Sequence, residues 1–358
     1  MSRIRLMIVD DSLFTRKMLQ QMVESDPRVE VVALANNGEE AVEKAHQLKP
    51  DIITLDVIMP VMDGIAALKQ IMRECPTQVL MVSGVTTEGA EVTLDALALG
   101  AADFLPKPTG GNPAELGKLG KELLEKIHAI AGRRRQPLPV PVPAPAPISA
   151  PEAKHAAAPA HPAALPKTRL AGKKELVLIG TSTGGPNALQ VVIPRLPADL
   201  PVGVLIVQHM PATFTQPLAA RLDRISAVKV KEAQEGDEIL PGQVLLAPGH
   251  SHLVLRERGR VGLDQEPANV PHRPAVDVLM ASAAKVYGGS ALGVIMTGMG
   301  QDGKEGMTQL KAKGGTIIAQ DERSCVVYGM PRAVVEAGLA DAVCPLEEIA
   351  ATIIHHLK

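Results

Sequence analysis

Aromatic residues and cysteines are scarce in this sequence of 358 residues. It contains three phenylalanines, two tyrosines and no tryptophan, although 46% of its residues are hydrophobic. The cores must therefore be packed almost entirely from aliphatic side chains. The three cysteines (Cys75, Cys325 and Cys344) are odd in number and lack the spacing of a metal site. This pattern excludes a disulfide scaffold and favours a reducing compartment.

Long apolar runs and a strong excess of one charge are also missing. No apolar run reaches the ~18–20 residues that a membrane-spanning helix needs, and the opening MSRIRLMIVDDS lacks the shape of a signal peptide. We therefore expect a cytoplasmic protein that is not inserted in a membrane. The formal net charge of −2 argues against a general nucleic-acid-binding surface, so we expect no nucleic-acid partner.

The first 131 residues alternate short apolar, β-branched runs with segments of helical spacing. Five such β/α units joined by short connections predict a parallel, doubly wound sheet with right-handed crossovers. The predicted strands are Arg5–Val9, Val29–Ala35, Asp51–Asp56, Gln78–Ser83 and Ala102–Leu105, and the predicted helices are Leu13–Val23, Gly38–Leu48, Met62–Arg73, Thr87–Leu99 and Pro113–Ala131.

Residues 132–170 differ sharply in composition, and from Gln136 onward they consist mostly of proline and alanine. Such a segment predicts a polyproline-type linker that tethers two domains. Residues 171–358 return to α/β patterning and predict a second, mainly parallel sheet with some hairpin in the middle. The predicted strands there are Glu175–Ile179, Gly203–Gln208, Val244–Ala247, Ser251–Arg256, Ala291–Met296 and Thr316–Ala319.

Polar residues end four strands of the first domain and should meet at one edge of its sheet. Asp10 and Asp11 follow the first strand and Asp56 ends the third, while Ser83 and Lys107 lie at the ends of the fourth and fifth. Three carboxylates in one pocket repel one another, and Mg²⁺ relieves that repulsion. Lys107 supplies a charge and Ser83 a hydroxyl for a phosphoryl group. Each residue alone also fits a helix cap or a solvated loop.

The stretch Glu175–Leu189, ELVLIGTSTGGPNAL, organises the second domain. An apolar strand runs into Gly-Thr-Ser-Thr-Gly-Gly and then into a helical segment, so Ser182 should be exposed near the free amides of a helix N-terminus. This strand–turn–helix pattern is typical of a serine nucleophile. The alternative is a glycine-rich turn that binds a phosphate or binds nothing.

A serine nucleophile needs a base and an acid that orients the base. His209 ends the strand Gly203–Gln208, and Asp302 follows the strand Ala291–Met296, so both should lie at the same sheet edge as Ser182. Further candidates fit less well from their positions. They are the histidines His250, His252 and His272, with His250 and His252 in the expected hairpin, and the acids Asp277 and Asp321.

The motifs together resemble known families. Residues 1–131, with the Asp-Asp pair, LDVIMPVMDG, SG and KP, resemble the flavodoxin-like receiver domain of two-component response regulators. In residues 171–358, IGTSTGGP, VQHMP, APGH, RPAVDVL, TGMGQDG and YGMP occur in the order seen in the chemotaxis protein-glutamate methylesterases, the CheB family, whose catalytic domain is Rossmann-like.

The resemblance implies roles for the singled-out residues. Asp56 would accept phosphate from a histidine kinase with Mg²⁺ at Asp10, Asp11 and Asp56, and Ser182, His209 and Asp302 would hydrolyse glutamyl γ-methyl esters on chemoreceptors without a cofactor. Receptor glutamines would be deamidated at the same site. Thr183 and Met299 are candidates for oxyanion stabilisation and Arg273 for substrate contact.

Two classes of function follow. The first is a phosphorylation-controlled esterase, and the second is a non-enzymatic response regulator whose Ser182 loop cradles a phosphate. A DNA-binding output is disfavoured because no basic recognition helix follows the linker.

Overall fold

The computed structural model describes residues 3–84, 86–107, 113–131 and 173–358. The predicted linker, residues 132–170, lies outside the described residues. The chain forms two α/β units, each built on a parallel sheet. Among the described residues, no helix has both the length and the apolar character that crossing a bilayer requires.

The N-terminal unit has a five-stranded parallel sheet in the order β2-β1-β3-β4-β5. Its strands read as apolar runs because helices cover both faces of the sheet. The strands are β1 (Ile4–Val9), β2 (Val29–Ala35), β3 (Ile52–Asp56), β4 (Gln78–Ser83) and β5 (Asp103–Pro106). The helices between and after them are α1 (Leu13–Glu24), α2 (Gly38–Leu48), α3 (Gly64–Glu74), α4 (Thr87–Ala98) and α5 (Pro113–Ala131).

Four of these helices begin where the sequence offers a short polar side chain to their free amides. Ser12, Asn37, Asp63 and Thr86 each accept a hydrogen bond from a backbone N–H in the first turn that follows. Such caps satisfy donors that the helix itself cannot. They end each β–α connection sharply, so the strand-end residues stay at the carboxyl edge of the sheet.

The C-terminal unit has a seven-stranded sheet in the order β14-β13-β12-β6-β7-β9-β8, with all neighbours parallel. These strands are β6 (Leu176–Thr181), β7 (Gly203–Gln208), β8 (Lys229–Glu232), β9 (Gln243–Leu246), β12 (Ala291–Ile295), β13 (Thr316–Gln320) and β14 (Ala342–Cys344). The strand β6 lies between β7 and β12, so the three strands that precede Ser182, His209 and Asp302 are adjacent.

Helices cover this sheet, and a separate antiparallel hairpin packs on it. The hairpin strands are β10 (His252–Glu257) and β11 (Arg260–Asp264). The helices are α6 (Gly185–Val192), α7 (Ala212–Ile225), α8 (Val276–Val286), α9 (Lys304–Ala312), α10 (Met330–Glu336) and α11 (Ile349–Leu357). Three single-turn 3-10 helices complete the unit, at Ile193–Arg195, Gly288–Ser290 and Leu346–Glu348.

The sequence analysis missed four elements of this unit and placed the hairpin too early. Strands β8, β11 and β14 and helix α11 were not predicted. KVKE and RVGLD carry charges or glycine, and AVC is short, so local patterning does not mark them as strands. His250 lies in the connection from β9 to β10, which joins the two sheets, whereas the hairpin turn comes later at Arg258–Gly259.

The two units pack against each other through α4 and β5 on one side and α6 and α7 on the other. The rings of Phe104 and Phe214, two of the few aromatic residues, stack with centroids 4.4 Å apart. Asn187 Nδ2 donates to the carbonyl of Ala101 at 3.0 Å. One continuous apolar cluster includes residues of both units. The N-terminal unit therefore packs on the C-terminal unit through a defined interface.

Candidate functional site

The polar strand ends of the N-terminal unit meet as expected. Lys107 Nζ lies 2.8 Å from Asp10 Oδ2 and 2.8 Å from Asp56 Oδ2. Carboxylate oxygens of Asp10, Asp11 and Asp56 all lie within 4.8 Å of one another. Three oxygen donors this close fit a hard divalent cation such as Mg²⁺, which would bind phosphate oxygens as well.

Burial and charge act in opposite directions in this pocket. Desolvation raises the pKa of Asp56 in spite of its bonds to Lys107. Burial alone would lower the pKa of Lys107, but the bonds from its ammonium to Asp10 and Asp56 raise it. Ser83 is fully buried, and its hydroxyl accepts a hydrogen bond from Thr93 Oγ1 at 2.7 Å. Ser83 remains at the strand end predicted for it, and its contact with a phosphoryl group stays a prediction.

Ser182 lies in the turn between β6 and α6, held by both neighbouring strands. Its N–H donates to Thr297 O at 3.0 Å on the β12 side. Its carbonyl accepts from Gln208 Nε2 at 3.0 Å on the β7 side. The turn is tight because Gly185 has no side chain: a Cβ there would lie 1.9 Å from Gln208 Oε1. Glycine at this position is therefore a steric requirement of the serine turn.

His209 and Asp302 form a hydrogen-bonded pair at the same edge. His209 Nε2 lies 2.7 Å from Asp302 Oδ2. The other ring nitrogen, Nδ1, is buried and has no hydrogen-bond partner in the described part of the chain. The backbone N–H of His209 donates to Thr181 O, one residue before the serine. An acid thus fixes one nitrogen of the imidazole and leaves the other free to exchange a proton.

Asp302 is held as a carboxylate by three donors. Besides His209, the backbone amides of Val276 and Asp277 donate to it at 2.7 and 2.9 Å. Burial alone would raise the pKa of Asp302, but the bond from His209 and these amides hold it below its usual range. A buried carboxylate with this many donors stays ionised and fixes its histidine.

Asp277 supports this acid from the first turn of α8. Its Oδ1 accepts from the amides of Gly303 and Gly306 at 2.9 and 2.7 Å, while its own N–H donates to Asp302. Burial and the nearby charge of Asp302 raise the pKa of Asp277 to about 6. The residue that we considered as an alternative acid instead braces the loop that carries Asp302.

The other candidate histidines and acid have different surroundings. His250 is exposed, and His252 is fully buried with Nδ1 accepting from the amide of Ala275. Asp321 accepts from the amide and hydroxyl of Ser324. His272 stacks its ring on His209, with centroids 4.1 Å apart. None of these four makes the contacts to Asp302 that His209 does.

Sequence reasoning missed several residues that shape the site. Gln208 donates from its amide to the carbonyls of Ser182 and His209, and so joins the two loops. Thr297 Oγ1 donates to Thr183 O at 2.9 Å. Both residues lie inside motifs that the sequence displays, QHMP and TGMG, where only the neighbouring histidine and acid attracted notice. The stacking of His272 depends on a loop path that no local pattern encodes.

Each candidate for substrate contact has a hydrogen-bond donor without a protein acceptor in the described part of the chain. The backbone N–H groups of Thr183 and Met299 donate to no protein acceptor among the described residues. Arg273 follows the stacked His272, and its guanidinium donates to Gln265 Oε1 at 2.9 Å while its buried Nε has no partner in the described chain. These features leave donors available for a bound substrate.

Comparison with known proteins identifies the family. Residues 6–118 match the response regulator receiver domain model, and residues 177–353 match the CheB methylesterase model. A protein-glutamate methylesterase/protein-glutamine glutaminase of Oleidesulfovibrio alaskensis is 48% identical over 98% of this chain and 99% of its own. The chain belongs to the CheB methylesterase family.

Two further members of this family agree with that assignment. A protein-glutamate methylesterase/protein-glutamine glutaminase of Symbiobacterium thermophilum is 49% identical over 98% of this chain and 96% of its own length. The crystal structure of the Thermotoga maritima CheB methylesterase catalytic domain aligns with a TM-score of 0.50 and 46% identity, covering 51% of this chain and 98% of that one. The family relationship therefore extends over both α/β units.

Proposed function

We propose that this protein is a protein-glutamate methylesterase and glutaminase whose active site is Ser182, His209 and Asp302. The observation that carries the assignment is the His209–Asp302 pair, 2.7 Å apart, at the sheet edge where Ser182 lies in the neighbouring turn. Chemoreceptor side chains in the cytoplasm are the substrates that this family membership favours. The domain boundaries that we propose are 1–131 for the receiver, 132–170 for the linker and 171–358 for the catalytic domain.

The mechanism follows from which ring nitrogen of His209 has no hydrogen-bond partner. Asp302 occupies Nε2 of His209, so Nδ1 is the nitrogen that takes the proton from the Ser182 hydroxyl. The serine oxygen then attacks the γ-carbonyl carbon of the glutamyl methyl ester, and the protonated histidine returns the proton to the leaving methanol. Water repeats the sequence on the acyl-enzyme and yields glutamate.

The tetrahedral intermediate needs donors for its oxyanion. The free amides of Thr183 and Met299 are the groups that we assign to it, because neither is committed to a protein acceptor. Such preorganised N–H groups lower the barrier most where water is excluded. A glutamine side chain presents the same acyl carbon with ammonia as the leaving group, so one site serves both reactions.

The receiver domain controls access to this chemistry. We assign Asp56 as the residue that accepts phosphate from a histidine kinase, with Mg²⁺ held by Asp10, Asp11 and Asp56 and Lys107 beside the phosphoryl group. The cation would neutralise charge during phosphoryl transfer. No cofactor is needed for the ester hydrolysis as we describe it.

Contact between the domains supports control by occlusion. Helix α4 and strand β5 of the receiver pack on α6 and α7, the helices that follow the loops of Ser182 and His209. In this proposal the receiver, packed in this way, hinders a receptor helix from reaching Ser182. Phosphorylation at Asp56 would shift the population toward an arrangement in which the receiver is displaced.

Methanol release from methylated receptor tests the proposal. Ser182→Ala should lower it by roughly 10⁴–10⁶-fold and should remove ammonia release from receptor glutamines as well. A variant that kept more than a tenth of either activity would disprove the assignment of the nucleophile. A fragment that begins at Leu170 should be more active than the unphosphorylated whole protein. Equal rates would contradict occlusion.

A further inference from the structure

A cavity of about 490 Å³ has Met299 and Gly300 in its wall, directly after Gly298, the residue that approaches the catalytic serine. It lies between the loop after β12, the start of α9 and the exposed side of α10. The residues that matter for its chemistry are Lys304, Tyr328, Arg332 and Glu336, and Met299 and Gly300 form part of its wall.

The cavity is joined to Ser182 through a single residue. A Cβ built on Gly298 would lie 2.9 Å from Ser182 Cβ, so this backbone touches the serine directly. The amides of Gly329 and Met330 both donate to Gly298 O, at 3.0 and 2.9 Å. The cavity wall and the serine turn are therefore parts of one hydrogen-bonded edge. A substrate whose ester lies at Ser182 would therefore have room to place a neighbouring group in this cavity.

The cavity carries more positive than negative charge. Lys304 makes no ion pair with any described residue. Arg332 has only a distant contact of 3.9 Å with Glu336, and both side chains are mostly exposed. Exposed pairs of this kind hold their partners weakly, so the guanidinium is available to a ligand. The phenol of Tyr328 is protonated at neutral pH, as an ordinary tyrosine is, and can donate a hydrogen bond to a ligand.

We propose that this cavity binds a carboxylate side chain of the substrate protein, on the same helix as the reacting glutamyl ester and one or two turns away from it. This inference rests on the proposed function. A helix advances about 1.5 Å per residue, so positions four or seven residues away lie roughly 6–11 Å along its axis. Lys304 and Arg332 would pair with the carboxylate, and Glu336 would oppose it.

The test uses helical peptides that contain one γ-methyl glutamate, with the full-length protein activated by a phosphodonor and Mg²⁺. One peptide has alanine at the flanking positions, and the others carry a single glutamate four or seven residues to either side. We expect the wild-type protein to show a lower KM for at least one acidic peptide, with kcat little changed.

Variants of the cavity should shift KM in opposite directions. Lys304→Gln and Arg332→Gln should each raise KM for the preferred acidic peptide about two- to fivefold, as expected for partly exposed charge pairs, and Glu336→Gln should lower it. Lys313→Gln, an exposed lysine just after α9, serves as the matched control and should leave KM unchanged. KM for the alanine peptide should stay constant in all four variants, which also reports correct folding.

Two outcomes would overturn the inference. The first is a wild-type protein with no preference for any acidic peptide, and the second is a preference that survives in the Lys304→Gln/Arg332→Gln double variant. Neither outcome would contradict the proposed function, which is tested separately by measuring hydrolysis of the alanine peptide by the Ser182→Ala variant. If that variant hydrolyses the alanine peptide normally, the proposed function fails.

Discussion

Each domain of this protein holds a key carboxylate at the carboxyl edge of a parallel sheet, yet the two carboxylates titrate in opposite directions. Asp56 of the receiver is buried, next to Asp10, and its pKa is raised. Asp302 of the catalytic domain is also largely buried, with 14% of its side chain exposed, and its pKa is lowered. Burial is common to both residues and therefore does not explain the difference.

The surrounding donors explain it. Asp302 accepts from an imidazole and two backbone amides that serve no other carboxylate. Asp56 accepts a hydrogen bond from one backbone amide and shares Lys107 with Asp10. The negative charge of Asp10 repels that of Asp56. The receiver pocket is thus short of positive charge and suited to a cation, whereas the charge of Asp302 is fully compensated without one.

The largest expected effect on activity comes from removing the negative charge of Asp302. Asp302→Asn keeps the size of the side chain but removes the charge that orients His209 and stabilises the imidazolium. We expect methanol release to fall about 10⁴-fold. Steady-state rates on methylated receptor, with Asp341→Asn as a control at a distant acid, provide the measurement. A loss of less than tenfold would mean that another acid orients His209.

Removing the negative charge of Asp56 in the receiver should abolish regulation by phosphorylation and leave ester hydrolysis itself intact. Asp56→Asn removes the proposed phosphate acceptor, so a phosphodonor with Mg²⁺ should no longer raise the esterase rate, while the basal rate persists. Asp51→Asn is the matched control, because Asp51 lies at the other end of the same strand and accepts from Arg5 N. Stimulation that survives in Asp56→Asn would place the phosphate elsewhere.

A smaller effect, on the pH dependence of stability, should distinguish the role of Asp277 from that of Asp302. The folded state raises the pKa of Asp277 from its ordinary value to about 6, so folding disfavours its charged form. Wild-type stability is therefore lost as pH rises from about 4 through 6. Asp277→Asn keeps an oxygen acceptor for Gly303 and Gly306 and does not titrate.

We expect the Asp277→Asn variant to match the wild type below pH 4 and to exceed it above pH 6, by on the order of 2 kcal/mol. Thermal unfolding measured across this range gives the comparison. A stability difference that does not change with pH would show that the charge of Asp277 is not disfavoured in the fold.

The smallest effect concerns the contact between the two domains. Arg221 of α7 forms an ion pair with Asp95 of α4, which is mostly exposed. Asp95→Ala should weaken the interface between the receiver and the catalytic domain slightly. It should raise the esterase rate of the unphosphorylated protein by less than about fivefold, because exposed ion pairs contribute little binding energy. Glu91→Ala, one turn earlier on α4, is the control. A fall in the Asp95→Ala rate would argue against occlusion.

Sequence patterns predicted the parallel sheets and the strand-end residues well, because a parallel strand buried on both faces must be an apolar run that stops abruptly. Where these runs stop, at Asp56, His209 and Thr297, the sequence changes to polar or glycine residues. The resemblance to known families added the roles of these residues. His209 pairs with Asp302 at the sheet edge where Ser182 lies, and the catalytic roles of these three residues remain predictions.

Features that depend on distant contacts could not be predicted. Edge strand β8, KVKE, becomes a strand only because β9 pairs with it. The stacking of Phe104 on Phe214 joins residues from different domains, and nothing near either position indicates the other. Asp277 looked like an ordinary residue of a first helical turn because its acceptors lie in another loop.

The crossed hydrogen bonds between Asp277 and the Asp302 loop have a consequence for how the enzyme loses structure. Each carboxylate accepts amides from the other's segment, so the start of α8 and the start of α9 cannot open one at a time. Segments coupled in this way exchange their amide hydrogens together. The amides of Val276, Asp277, Gly303 and Gly306 should therefore exchange with deuterium at one common, slow rate, and the catalytic acid should persist until that whole unit unfolds.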